Sequence, residues 1–181
     1  MGEVAHEEAA SEEGCRRHGV LGSGLPPFSR DRTVRTIYPG SPACPLVTLN
    51  SRPLVLLRLA TSATEEIGST PRGALSIFPV TGGSFEGERL RGKVLAGGGD
   101  WVTANADGTF ELDLRVTLET DDGALIHMTF TGVRDDANHY LRTLPRFETA
   151  APKYAFLNRL LAVGIGELRP EGPVDAIEEI L

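Results

Sequence analysis

Hydrophobic positions in this chain fall in short runs separated by turn signals, and the alternation is clearest between Thr109 and Val133. Successive side chains on a strand point to opposite faces, so Phe110, Leu112, Leu114, Val116 and Leu118 share one face. Glu111, Asp113, Arg115, Thr117 and Glu119 share the other. Farther along, Ile126, Met128 and Phe130 lie opposite Leu125, His127, Thr129 and Thr131. The loop decides how these faces meet. A two-residue Asp122-Gly123 loop pairs Glu119 with Ile126 and mixes polar with apolar positions. A three-residue loop, Asp121-Asp122-Gly123, pairs Leu118 with Ile126, Val116 with Met128 and Leu114 with Phe130. It also aligns Thr117 with His127, Arg115 with Thr129 and Asp113 with Thr131. Three-residue hairpins need a left-handed residue at their end, which Gly123 supplies. A slip of one residue would turn every side chain to the wrong face. The pattern therefore predicts the three-residue loop.

The remaining runs from about residue 52 read the same way. "RPLVLLRLATSA", "ALSIFPV", "DWVTA", "LLAVGIGEL" and "VDAIEEIL" are strand-like. "STPRG" and "NADGT" are turns, and "TGGSFEGERL" reads as a turn with a short strand. Turns recurring every 8–12 residues or so are the pattern of an antiparallel sandwich or barrel. One segment breaks it: "APKYAFLNRLL" sets Tyr154, Leu157 and Leu161 at helical spacing, with Pro152 suited to a first turn. The run "GKVLAGGGDW" places three glycines before an aspartate and the sole tryptophan, which predicts a bend that aims Asp100 and Trp101.

Residues 1–50 have a different texture: charged at the start, then rich in Pro, Gly and Ser without periodicity. They read as a flexible or loosely docked extension, since such a segment buries too little apolar area to offset its ordering entropy. Residues 51–181 form one domain. The 181-residue length and 40% hydrophobic content suit a single core. A net charge of −7 with no Lys/Arg cluster argues against a nucleic-acid partner. The start lacks the apolar stretch of a secretory signal, and "PLVLLRLA" is too short for a membrane span. A cytoplasmic protein with no membrane partner is the expectation, and a homo-oligomer stays open. Cys15 and Cys44 form no metal-ligand or redox motif and read as reduced thiols.

For chemistry, the polar hairpin face matters most. Asp113 and Arg115 are two apart on one strand, about 6–7 Å along it, and His127 is on the same face. That face is either a solvated surface carrying a weak ion pair or the wall of a barrel interior that binds a polar ligand. The Asp-Gly segments lack calcium-loop spacing, and His127 and His139 form no metal motif, so no metal and no cofactor are expected. No G-x-S-x-G elbow or phosphate-binding glycine motif is present. What remains is an acid–base set: Asp100, Asp113 and Arg115 as candidate catalytic residues, with Trp101, His127 and Arg142 as candidate substrate contacts. Two carboxylates in different environments can divide acid and base roles.

The blocks "GGSFEGERLRGKVLAGGGDW", "DGTFELDLRVTLETDDGALIHM" and "YLRTLPRFETAAPKYAFLNRLL" resemble, in order, those of the domain of unknown function 3237 family, over residues 52 to 181. The resemblance implies an all-β fold, an antiparallel lipocalin-like β-barrel with a central cavity and one short helix. Carried over onto matching positions, it marks Asp100, Trp101, Asp113, Arg115, Tyr140, Arg142 and Phe147. Val116, Leu141 and Phe156 depart from the aromatic residues usual at their positions, which leaves the fold intact and the identity of the substrate open. The resemblance brings no assigned activity. It favours the polar face as the lumen wall, and that acid–base face with the inferred cavity suits a cofactor-independent enzyme of lyase, isomerase or cyclase type, acting on a small oxygenated compound. The alternative is a non-catalytic carrier, whose lumen would be lined by Leu114, Val116, Met128 and Phe130 with Arg115 in solvent. A third reading is an interaction module with residues 1–50 as its arm.

Overall fold

In the computed structural model, which describes residues 49–181, the hairpin around Gly123 takes the predicted register. Leu118 faces Ile126, Val116 faces Met128, Leu114 faces Phe130, and Asp113 faces Thr131. Gly123 closes the three-residue loop at φ +82°. Of the N-terminal extension read as residues 1–50, all but the last two residues, Cys15 and Cys44 included, lie outside the described residues.

The strands are β1 (Ser51–Thr61), β2 (Glu65–Thr70), β3 (Gly73–Glu86), β4 (Arg91–Val94), β5 (Gly99–Ala104), β6 (Phe110–Thr120), β7 (Leu125–Asp135), β8 (Tyr140–Glu148), β9 (Leu161–Arg169) and β10 (Gly172–Ile180). A 3-10 helix, Pro152–Arg159, joins β8 to β9. All pairings are antiparallel. Around the ring, β1 pairs with β10, then β9, β8, β7 and β6 follow in order. The ring closes through β3, whose 14 residues serve four partners. On one edge its first half pairs with β2 and its second half with β1. On the other edge the first half pairs with β5 and the second with β4. β4 and β5 are thus two halves of one position between β3 and β6, and the result is a closed barrel of eight strand positions.

The triple glycine is the break between those halves. Leu95 still donates to Thr117 O at 2.9 Å, then Gly97 donates to Val80 O at 3.0 Å and Val80 to Gly98 O at 3.2 Å. Gly98 has φ +84°, and a Cβ there would overlap the Arg115 carbonyl. The expected turn at Thr81–Gly83, by contrast, is continuous strand inside β3, because the chain changes partner there from β2 to β1 without reversing.

One parity of each strand points inward. Leu114, Leu118, Ile126 and Met128 are completely buried, and Leu57, Val80, Val116, Phe130 and Phe147 nearly so. Side chains of this kind each contribute about 1.5–3 kcal/mol when buried. The end where β6 turns into β7 is covered by the 3-10 helix, whose Tyr154 and Leu157 join the core. Tyr154 Oη donates to Asp122 Oδ1 at 2.8 Å, and Lys153 pairs with Asp122 Oδ2 at 2.5 Å. The predicted helix is therefore of the tighter kind. With three residues per turn its inner face is Tyr154 and Leu157, and Leu161 falls outside it at the exposed start of β9. No helix among the described residues is long and apolar enough to cross a membrane.

Gly98 and Gly123 have nearly the same φ, +84° and +82°, but a Cβ at Gly123 meets nothing within 4 Å. Gly123→Ala is expected to cost only the left-handed strain, about 1–2 kcal/mol. Gly98→Ala is expected to cost clearly more, because it also forces β5 off β6. Equal losses in denaturant unfolding would show that the strands do not approach as closely as described.

Candidate functional site

Alternation on β5 and β6 sends adjacent side chains to opposite sides of the barrel wall, and this separates the sequence candidates. Asp113 and Arg115 point outward, with 43% and 52% of their side chains exposed, while Leu112, Leu114 and Val116 between them fill the interior. The expectation that the polar face lines the lumen is thereby corrected. In a barrel of eight positions the interior is just wide enough to be filled by side chains, so the apolar parity takes it. Trp101 lies directly opposite Asp113 on that outer face. Arg115 Nη2 donates to Asp113 Oδ2 at 2.9 Å, and its guanidinium sits 5.4 Å from the centre of the Trp101 ring. Trp101, Asp113 and Arg142 line one outer groove of about 770 Å3, with Tyr140 and Leu144. Arg142 stacks over Tyr140 at 4.7 Å. His127 is also on the outside, exposed, between Thr117 and Glu148. Of the six candidates only Asp100 reaches the interior.

Asp100 lies in a lumen cavity of about 280 Å3. Its walls are Leu57, Leu59, Phe78, Val102, Leu112 and Leu114, with Phe130 and Leu141. Asp100 Oδ1 accepts the backbone N–H of Asp113 at 3.1 Å. Burial among these apolar side chains pushes its carboxyl pKa up to about 6; the Asp113 N–H and the Arg134 charge oppose the rise, and the Asp113 carboxylate adds to it. A carboxyl group so placed exchanges its proton near neutral pH, as an acid or base for bound ligand must.

The lumen holds polar residues that the sequence reading did not single out. Arg134, on β7, reaches the open end of the cavity, where Glu167 and Arg169 also stand. Its guanidinium lies 3.9 Å from the Phe110 ring centre and donates from Nη2 to Asp136 Oδ2 at 3.2 Å. Nε is 3.0 Å from Asp136 Oδ1, yet the N–H is not directed at it. Asp175, on β10, is buried and lines the same cavity. Thr143 Oγ1 donates to its Oδ2 at 2.8 Å. Burial raises the Asp175 pKa, with the Thr143 hydrogen bond and the Arg142 charge pulling the other way.

Two measurements test this placement. A carboxyl whose pKa is about 6 in the fold and 3.8 unfolded favours folding while both forms are protonated. That contribution is full below pH 3.8 and is lost as pH rises through 6. Asp100→Asn removes the ionisation and keeps the acceptor oxygen, so at pH 8 it is expected to stabilise the protein by up to about 3 kcal/mol. Near pH 3.5 it should be neutral. A destabilised variant at pH 8 would contradict the buried position. Arg115→Met, on an exposed strand, is expected to change stability by less than about 1 kcal/mol, and a larger loss on thermal melting would return Arg115 to the interior.

Comparison with known proteins follows the same boundaries. A UPF0311 protein of Rhodopseudomonas palustris is 31% identical over 136 residues, 66% of this chain and 87% of its own length. The crystal structure of a β-barrel-like protein from Acinetobacter baumannii superposes with a TM-score of 0.69 at 30% identity, over 77% of this chain and 99% of that one. The hydroalkoxylation enzyme phnH of Penicillium herquei is 36% identical over 85 residues, 47% of this chain and 52% of its own length. The crystal structure of an enzyme from the same fungus superposes with a TM-score of 0.63 at 26% identity, covering 78% of this chain and 99% of that one. Residues 50–179 match the family described as Protein of unknown function (DUF3237), and the chain belongs to that family.

Proposed function

We propose that this protein is a cofactor-independent acid–base enzyme, of lyase, isomerase or cyclase type, that acts on a small oxygenated molecule held inside the barrel. The observation that carries the reading is the Asp100 carboxyl group, set in the cavity among Leu57, Phe78, Leu112 and Leu114, with its proton affinity raised into the neutral range. Among apolar side chains a carboxylic acid is a stronger partner for developing charge than it is in water. The cavity is nearly twice the size of one that accepts benzene, which suits a ligand of bicyclic size. Asp113, Arg115, Trp101, His127 and Arg142 stand outside the lumen; in this reading Asp113 contributes through its backbone N–H and its charge next to Asp100, and the others take no part in the chemistry.

The relative named for hydroalkoxylation supports one reaction class for the first trial: addition of a hydroxyl O–H across a carbon–carbon double bond. Asp100 as the acid gives its proton to one carbon while the hydroxyl oxygen bonds to the other. The hydroxyl proton leaves to a base, and the two proton transfers cancel, so no cofactor is needed. A 2-alkenylphenol is a minimal probe, because its cyclic ether has the same mass and incorporates one carbon-bound deuterium in D2O.

The carrier reading keeps one specific observation in its favour, since Leu114 and Phe130 line the lumen and Arg115 faces solvent. The two readings separate on Asp100. For the enzyme, Asp100→Asn is expected to lower turnover at least a hundredfold while Arg115→Met stays within about threefold. With protonated Asp100 as the acid, kcat/KM should fall about tenfold per pH unit above pH 6. Binding without turnover across a panel of alkenylphenols and enolisable ketones, unaffected by Asp100→Asn, would favour the carrier.

A further inference from the structure

We propose that Asp175, held by Thr143, is the point in the lumen that recognises a ligand hydroxyl group, and that the ligand is a bicyclic-sized apolar compound carrying one. This rests on the reading of the lumen as the ligand site. Asp175 has 6% of its surface exposed and lines the cavity. Its two oxygens differ: Oδ2 takes the Thr143 hydroxyl at 2.8 Å, and Oδ1 is buried with no hydrogen-bond partner. An orphaned buried acceptor costs about 1–3 kcal/mol, so a position that keeps one inside a cavity is matched to a donor that comes from outside.

The surrounding chain is shaped around this pair. Gly164 on β9 carries no side chain where a Cβ would overlap both Thr143 Oγ1 and Asp175 Oδ1. Gly166, two residues along on the same inward parity, lines the cavity and would collide with Leu141 if it had a Cβ. The β9 backbone therefore closes directly on this pair, and Leu141 occupies the place that a side chain at 166 would need. Asp100 is on β5 and Asp175 on β10, separated around the ring by β3 and β1. A ligand that fills the cavity can meet one carboxyl with its hydroxyl and the other with its reacting carbon. Among donors, a neutral hydroxyl fits better than a cation, because Arg134 and Arg169 already bring positive charge to this lining beside Asp100, Glu167 and Asp175, and its remaining side chains are mainly apolar.

Binding of 2-naphthol and 2-methylnaphthalene, two probes of the same size, tests the assignment by isothermal titration or fluorescence. Apolar burial alone favours 2-methylnaphthalene, since a hydroxyl leaves water at a cost unless it finds a partner. The wild-type protein is expected to bind 2-naphthol at least tenfold more tightly. Asp175→Ala should abolish that preference by weakening 2-naphthol alone, and Thr143→Val should reduce it. If Asp175→Ala does not fold, Asp175→Leu, which refills the position with apolar atoms, is read in the same way. Equal binding of both probes to the wild type, or a preference that survives loss of the Asp175 carboxyl, would overturn the assignment while leaving the lumen as the ligand site. Failure of both probes to bind up to their solubility limits would overturn the lumen reading together with it.

Discussion

Closure of the sheet is the constraint on which everything else here depends. A ring of strands has a single inside, and a side-chain period of two commits every second residue to it. β3 makes closure possible because it is long enough to hold two partners on each edge. The opposite edge can be served by two short strands only if they join without leaving the wall, and the glycine run between Val94 and Asp100 makes that join. It also sets the phase in which β5 resumes. With Gly99 opposite Arg115 and Asp100 opposite Leu114, the aspartate falls on the inward parity and Trp101 on the outward one. The geometry of the bend therefore decides which of two adjacent residues meets the lumen.

Once inside, a polar group answers to a different solvent. Asp100 and Asp175 are raised in pKa by the same cause, loss of water, and each keeps one identified hydrogen bond as partial compensation. Asp122, at the end covered by the 3-10 helix, shows the contrary case. Its exposed carboxylate gathers Lys153, the Thr120 hydroxyl and the Tyr154 hydroxyl, and these hold its pKa well below the usual range. The acidic residue that fixes the fold is richly partnered, whereas those of the lumen are sparsely partnered. A structural carboxylate gains from every added donor, while one that must meet a ligand or exchange a proton requires an oxygen left available.

Much of this was legible in the sequence, and the failures have physical reasons. The hairpin register followed from matching faces around Gly123, because a slip would have placed Leu114 and Phe130 in water. The bend at the triple glycine followed from the absence of side chains to pack. The inside-outside assignment did not follow from the resemblance, which drew attention to Asp113 and Arg115; elementary burial of Leu112, Leu114 and Val116 decides it. The tighter helix is visible in the three-residue step from Tyr154 to Leu157. Arg134 and Asp175 carried a signal that was passed over. Arg134 continues the Ile126, Met128, Phe130 parity, and Asp175 shares its parity with Ile177, so each is a charged residue on an apolar face. Such exceptions to alternation, more than charges on an already polar face, mark the groups a barrel holds inside.

The same exceptions bear on whether the lumen is built for passive storage. A carrier of an apolar ligand has no use for ionisable groups in its cavity, since each one lowers stability when charged and neither improves apolar contact. This lumen has two aspartates on different strands, one of them with an unpartnered oxygen, and glycines on β9 that let its backbone close on Thr143, Asp175 and Leu141. An apolar replacement at either aspartate would satisfy packing at least as well. On the proposed function, their presence is explained by a ligand that is itself partly polar and is oriented within the cavity, since orientation against a group that exchanges protons is the requirement of acid–base catalysis.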